Sequence, residues 1–186
     1  MADRLRPFGH GLWVADGPVV DFYSFPYPTR TAIARLSDGS LWIWSPIHLD
    51  PQLRDEVEAL GQPAHLVSPN KIHHLFLGEW KGAYPSGKLW GLPAVARKRR
   101  DRAFAGELGA LPPGEWERDI DQVVFRGSLL MDEVVFFHRS SRRHAGHLFC
   151  RTKGSWLIGP VAYSKPKAGR RDSWPQAALA ARTATG

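Results

Sequence analysis

Apolar and polar positions alternate along the first third of the chain in short blocks separated by turn residues. Leu12-Trp13-Val14-Ala15 is followed by Asp16-Gly17-Pro18, a turn signal, and a second block covers Arg30 to Leu36. Asp38-Gly39 then joins that block to Ser40-Leu41-Trp42-Ile43-Trp44-Ser45. This dipeptide accepts the positive φ of a tight hairpin, so the spacing predicts two antiparallel strands. At Asp50 the period changes. Asp50 suits an N-cap, Pro51 suits the first helical position, and Leu53, Val57 and Leu60 fall on one face of a helix that Gly61 stops.

Beyond the helix, Ala64 to Val67 reads as a buried strand and His74 to Tyr84 as an amphipathic helix carrying Leu75, Phe76, Trp80 and Tyr84, ended by Pro85-Ser86-Gly87. Lys88 to Gly91, Ile120 to Phe125 and Glu133 to Phe137 are three further strands, with Arg126-Gly127 as a turn. Strands mixed with helices in this order predict a layered α/β domain. The aromatics Trp42, Trp44, Phe76, Trp80 and Trp90 match the inward faces of these elements and are expected in the core.

A chain of 186 residues that is 43% hydrophobic, with 8 Trp and 9 Phe, has the apolar surface for one sizeable core. Its one cysteine, Cys150, makes an intramolecular disulfide or a multi-cysteine zinc site unavailable. The segment Met1 to Pro7 has no apolar centre, and no run reaches the ~18 apolar residues of a membrane span, so a cytoplasmic location away from membranes is expected.

The net charge of +7 is unevenly placed. Residues 1 to 138 hold 15 Lys or Arg against 17 Asp or Glu, whereas residues 139 to 186 hold 10 against one. The excess is a property of the last quarter of the chain. Arg97-Lys98-Arg99-Arg100-Asp101-Arg102 forms a basic cluster in a predicted loop and reads as a solvated surface, so nucleic acid is not the expected partner. The motifs of phosphate-cradling loops, nucleophile elbows and dinucleotide folds are absent.

Three blocks carry a resemblance: Leu41-Trp42-Ile43-Trp44-Ser45-Pro46-Ile47, Ser68-Pro69-Asn70-Lys71-Ile72-His73-His74-Leu75-Phe76-Leu77-Gly78-Glu79-Trp80, and Glu133-Val134-Val135-Phe136-Phe137-His138-Arg139. Over residues 7 to 142 the chain resembles a bacterial and plant family catalogued as domain of unknown function 4336. That family is similar in fold to metallo-β-lactamases, and the resemblance implies an αββα layered sandwich with its site at one edge of the two sheets. Carried over position by position, the His-x-His-x-Asp-His metal motif of such hydrolases falls on Ser68, Asn70, Ile72 and His73. Only His73 matches, so no metal or other cofactor is expected, with zinc or iron as the alternative.

The residues that remain define the candidate site. His73 and His138 are the candidate acid/base pair, and Asn70, His74 and Glu79 are candidate pocket residues. Each also has a plain structural role: His73 or His74 at the helix start, Asn70 as an Asx cap, and His138 as a hydrogen-bonded strand-end group. Three functions follow. The first is a fold of this type without its binuclear zinc, binding an unidentified small molecule. The second is a hydrolase-like enzyme with a remodelled histidine site, with or without one metal. The third is a basic interaction module acting through the tail.

Residues 143 to 186 depart from the family pattern, which continues after the His138 position with a segment like Arg-Pro-Ser-Arg-Thr-Leu-Ile-Leu-Thr-Asp. Here Arg142 is followed by Arg143-His144-Ala145-Gly146-His147-Leu148. A shifted reading frame beyond Arg142 would account for the departure, with a native basic tail as the alternative, and would leave residues 1 to 142 as an incomplete domain followed by a tail whose run Ser164 to Asp172 has too little apolar surface to offset its ordering entropy.

Overall fold

A computed structural model of the chain describes residues 3–22, 25–125, 132–145, 147–152 and 155–160. Seven strands form one sheet in sequential order: β1 (Arg6–Gly9), β2 (Leu12–Phe22), β3 (Phe25–Arg35), β4 (Leu41–Trp44), β5 (Pro63–Ser68), β6 (Lys88–Gly91) and β7 (Gly106–Glu107). Strands β1 to β4 are an antiparallel meander, and β4 to β7 run parallel. The parallel steps are made through α1 (Pro51–Leu60), α2 (Leu77–Ala83) and α3 (Pro93–Lys98), since parallel neighbours need a crossover.

A second antiparallel sheet has the order β10-β9-β8, from β8 (Ile120–Phe125), β9 (Glu133–His138) and β10 (Arg143–Ala145). Strands β11 (His147–Thr152) and β12 (Ser155–Pro160) pair with each other. The predicted Arg126-Gly127 turn and residues 161–186 of the basic tail lie outside the described residues. Among the described residues no helix follows β7, and none is long and apolar enough to cross a membrane.

Strand β4 shows why the layers stack. Its four residues are all buried, and alternation sends them to two different cores. Leu41 and Ile43 join Leu53 and Val57 of α1 and Leu77 and Trp80 of α2 on one side. Trp42 and Trp44 join Ile120, Val134 and Phe136 of the second sheet on the other. Trp42 meets Phe136 edge-on at a centroid distance of 4.8 Å, and Trp116 packs against Trp90 at the same distance. Removing each large side chain from water stabilises the fold by about 1.5–3 kcal/mol, which makes β4 the hinge of both cores.

The predicted punctuation is present at two places. Gly39 has φ 85°, and the Asp38 carboxylate accepts from the Ser40 N–H and hydroxyl, closing the β3–β4 hairpin. Asp50 accepts from the Leu53 N–H at 2.9 Å, and Gly61 ends α1 where a Cβ would lie 2.9 Å from the Gly39 carbonyl.

Three expectations are corrected. Asp16-Gly17-Pro18 is not a turn: β2 continues through it to Phe22, with a register shift between Asp16 and Val19. A Cβ on Gly17 would sit 2.4 Å from the Thr29 hydroxyl and 2.8 Å from Ile47 Cβ, so glycine here permits close packing inside a bulge. The second helix starts at Leu77 instead of His74, because the Asn70 side chain holds the preceding residues in turns. The basic cluster is partly helical, as α3 runs to Lys98 before Arg99 and Arg102 pair with Asp101.

Candidate functional site

Strands β4 and β5 are parallel neighbours, and the chain leaves both at the same edge of the sheet. Open α/β sheets bind ligands at this carboxyl edge because the loops there are free of the sheet's hydrogen bonding. Ser45 follows β4 directly and adopts φ 51°, the left-handed region that a non-glycine residue rarely visits. Three bonds hold it there. Its N–H donates to the Val67 carbonyl at 2.9 Å, Thr31 donates its hydroxyl to the Trp44 carbonyl at 2.8 Å, and the Trp80 indole donates to the Ile47 carbonyl at 2.6 Å.

The corner aims the Ser45 hydroxyl at His73, with 2.5 Å between Oγ and Nδ1. With the ring proton on Nε2, Nδ1 accepts that hydroxyl. The imidazole packs against Tyr27 edge-on at 6.4 Å and against Trp44 at 5.7 Å. Ser45, His73 and Tyr27, together with Ile72, Leu75 and Phe76, line a mostly apolar cleft of about 40 Å³. Burial, and after it the Glu133 carboxylate, push the Tyr27 phenol up to about 12, so it is a protonated donor at neutral pH.

Asn70 is the second element of the site. It is 0% exposed and both ends of its amide are used. Oδ1 accepts from the N–H groups of Ile72 at 3.0 Å and His73 at 3.3 Å, forming the expected Asx turn. Nδ2 donates to Glu133 Oε2 at 2.5 Å, across to the first residue of β9, and the Val134 N–H donates to the Pro69 carbonyl beside it. This crossing ties the loop after β5 to the second sheet. The Ser68 hydroxyl, also 0% exposed, is shared between the carbonyls of Asn70 and His73 at 3.0 and 2.9 Å.

The donor set at this edge does not fit a zinc centre of the hydrolase kind. Zinc takes thiolate, imidazole or carboxylate donors. Ser68, Asn70, Ile72 and His73, the positions to which the resemblance carries the motif, present a hydroxyl turned to backbone carbonyls, an amide held by Glu133 and two N–H groups, a hydrocarbon, and an imidazole bonded to Ser45. Among the described residues no group of three or more His, Cys, Asp or Glu side chains is placed to hold a metal ion.

The other candidates lie elsewhere. His74 lies beside the end of α3: its carbonyl accepts from Arg99 at 2.9 Å, and burial, then Lys98 and Arg99, lower its pKa. Glu79 is exposed and pairs with His48 at 3.0 Å. The structure does not bring His138 to His73. His138 ends the strand that Glu133 begins, five residue steps or roughly 17 Å away. There it bonds Ser141 at 2.8 Å, next to Gly11. The strand-end structural role is the one it fills.

Two participants, Ser45 and Glu133, escaped the sequence reading. Both sit inside the blocks that carry the resemblance, but their partners lie 28 and 63 residues away, and no local pattern encodes such a pairing.

No protein-family model and no curated protein matches this chain. Solved structures do. It is similar to TMB-1, with a TM-score of 0.60 at 13% identity over 81% of this chain and 72% of that one. It is similar to the metallo-β-lactamase from Hirschia baltica, with a TM-score of 0.53 at 14% identity over 73% and 66%. It is likewise similar to the DIM-1 metallo-β-lactamase exposed to ceftazidime, with a TM-score of 0.60 at 16% identity over 82% and 72%. At such identities the likeness is one of fold. The chain has the mixed α/β fold of the metallo-β-lactamases, with a large sheet as its main layer.

Proposed function

We propose that this chain is a metallo-β-lactamase-fold domain in which intramolecular hydrogen bonds have replaced the binuclear metal centre, leaving a small-molecule pocket at the old active edge. The observation that carries this is Asn70. Its side chain stands where the resemblance puts a metal-binding histidine, and its amide is fully engaged by Glu133 Oε2 and the Ile72 and His73 N–H groups. A cation placed there would have to break bonds already made in a buried site. The kinship with domain of unknown function 4336 belongs to the same proposal, supported by the residues of the three blocks that meet at this edge, Ser45, Asn70, His73 and Glu133.

Cleft volume limits the ligand. Drug-sized ligands fill roughly 300–1,000 Å³. At about 40 Å³ the cleft accepts a very small molecule or the terminal group of a larger one. A second reading, a hydrolase with a remodelled histidine site, is favoured by the Ser45–His73 bond.

Metal content of the untagged full chain, measured by inductively coupled plasma mass spectrometry, tests the first reading. Zinc and iron are expected well below one equivalent, unchanged by His73→Ala. One equivalent or more that His73→Ala removes would overturn it.

A further inference from the structure

We propose that Ser45 is a nucleophile and His73 its general base, acting on small-acyl esters whose acyl group seats in the cleft beside Tyr27 and Phe76. The inference rests on the reading of this edge as a ligand pocket free of a binuclear metal. Geometry carries it. An activated serine needs a base within hydrogen-bond reach, no more than about 3.2 Å away, and a backbone corner that turns its hydroxyl off the strand. Ser45 has both: Oγ is 2.5 Å from His73 Nδ1, and φ 51° at the end of β4 turns the side chain toward the loop after β5. The same two residues line the cleft.

The chemistry balances with water as the only co-reactant. Ser45 Oγ attacks the ester carbonyl carbon while its proton passes to His73 Nδ1. The tetrahedral centre collapses by breaking the bond to the alkoxy oxygen, and the imidazolium returns the proton to the departing alcohol. A water then gives a proton to Nδ1 as its oxygen attacks the acyl carbon; the bond from that carbon to Ser45 Oγ breaks, Oγ takes the proton back from Nδ1, and the acid leaves. Elbow-type sites draw an oxyanion donor from the N–H of the residue after the nucleophile. Here that residue is Pro46, which has no N–H. Tyr27, a protonated phenol whose side chain lines the cleft, is the candidate donor in its place.

Size sets the specificity. At about 40 Å³ the cleft is far smaller than the roughly 300–1,000 Å³ of drug-sized sites, so the shortest acyl groups are preferred.

The test uses the full chain and 4-nitrophenyl acetate, butyrate and octanoate, followed at 400 nm by release of about one 4-nitrophenolate per ester cleaved, with the acylated residue located by peptide mass mapping. Turnover of the acetate above the buffer rate is expected, at least about tenfold faster than of the butyrate, and unchanged by a chelator. Ser45→Gly, which suits φ 51° and so keeps the corner, and His73→Gln should each cut it about 100-fold while circular dichroism stays native. Ser45→Cys should trap the acetyl group on residue 45. The inference is overturned by wild-type turnover no faster than buffer, by undiminished turnover in folded Ser45→Gly, or by acetylation confined to lysines. A metal-free chain without turnover defeats this inference alone, whereas site-bound zinc whose removal abolishes turnover defeats the reading beneath it as well.

Discussion

Asn70→Ala should destabilise the protein by about 3 kcal/mol. The substitution removes the donor to Glu133 Oε2, a charge-assisted bond inside the protein, for which about 1.5–3 kcal/mol is typical. It also removes the Oδ1 acceptor of the Ile72 N–H, at about 0.5–1.5 kcal/mol, while the 3.3 Å bond from His73 adds little. Urea denaturation followed by tryptophan fluorescence reads the loss directly. With a slope of about 2 kcal/mol per molar for a domain of this size, the midpoint should fall by roughly 1.5 M. Asn70→Asp sharpens the test, because it keeps the Oδ1 acceptor yet sets a second carboxylate against Glu133. At pH 8 it should be at least as damaging as alanine. A midpoint shift below about 0.5 M for Asn70→Ala, or an Asn70→Asp variant as stable as wild type at pH 8, would refute the view that this crossing bond holds the site together.

Two further outcomes follow from the same geometry. Asp50→Ala removes the cap on Leu53 and should cost about 1 kcal/mol, while Asp50→Asn should cost less than half of that; equal losses in urea midpoints would shift the credit to the Arg4 ion pair, which is part-exposed and worth little. His65, His74, His138 and His144 all have pKa values lowered from 6.5, chiefly by burial. The unfolded chain therefore binds protons more readily than the folded one in this range. Stability should be full above pH 6.5 and decline as pH falls through 6.5 toward the lowered values, with a shallower decline in thermal midpoint for His138→Gln.

Much of the fold could be read in the chain because its causes are local. Asp38-Gly39 makes its own turn, Asp50-Pro51 and Gly61 bracket α1, and Asn70 caps the two N–H groups that follow it. The errors share a different cause. Gly17 looks like turn punctuation until Thr29 and Ile47 press on it, and the helix start shifts from His74 to Leu77 because Asn70 claims the residues between. The site itself was half legible. His73 and Asn70 were identified from the motif positions they occupy, but Ser45 and Glu133 matter only through partners brought by the stacking of β4, β5 and β9. His138 was drawn to the site by its strand-end position, yet β9 enters at the site with Glu133 and leaves at the far edge with His138.

Anomalous diffraction at the zinc edge, from crystals of the full chain grown with excess zinc, tests the central claim most directly. No anomalous peak is expected at the edge formed by Ser45, Asn70 and His73, and Asn70 Nδ2 should still be bonded to Glu133. A peak about 2.1 Å from a His73 ring nitrogen, with the Asn70–Glu133 bond opened, would contradict it.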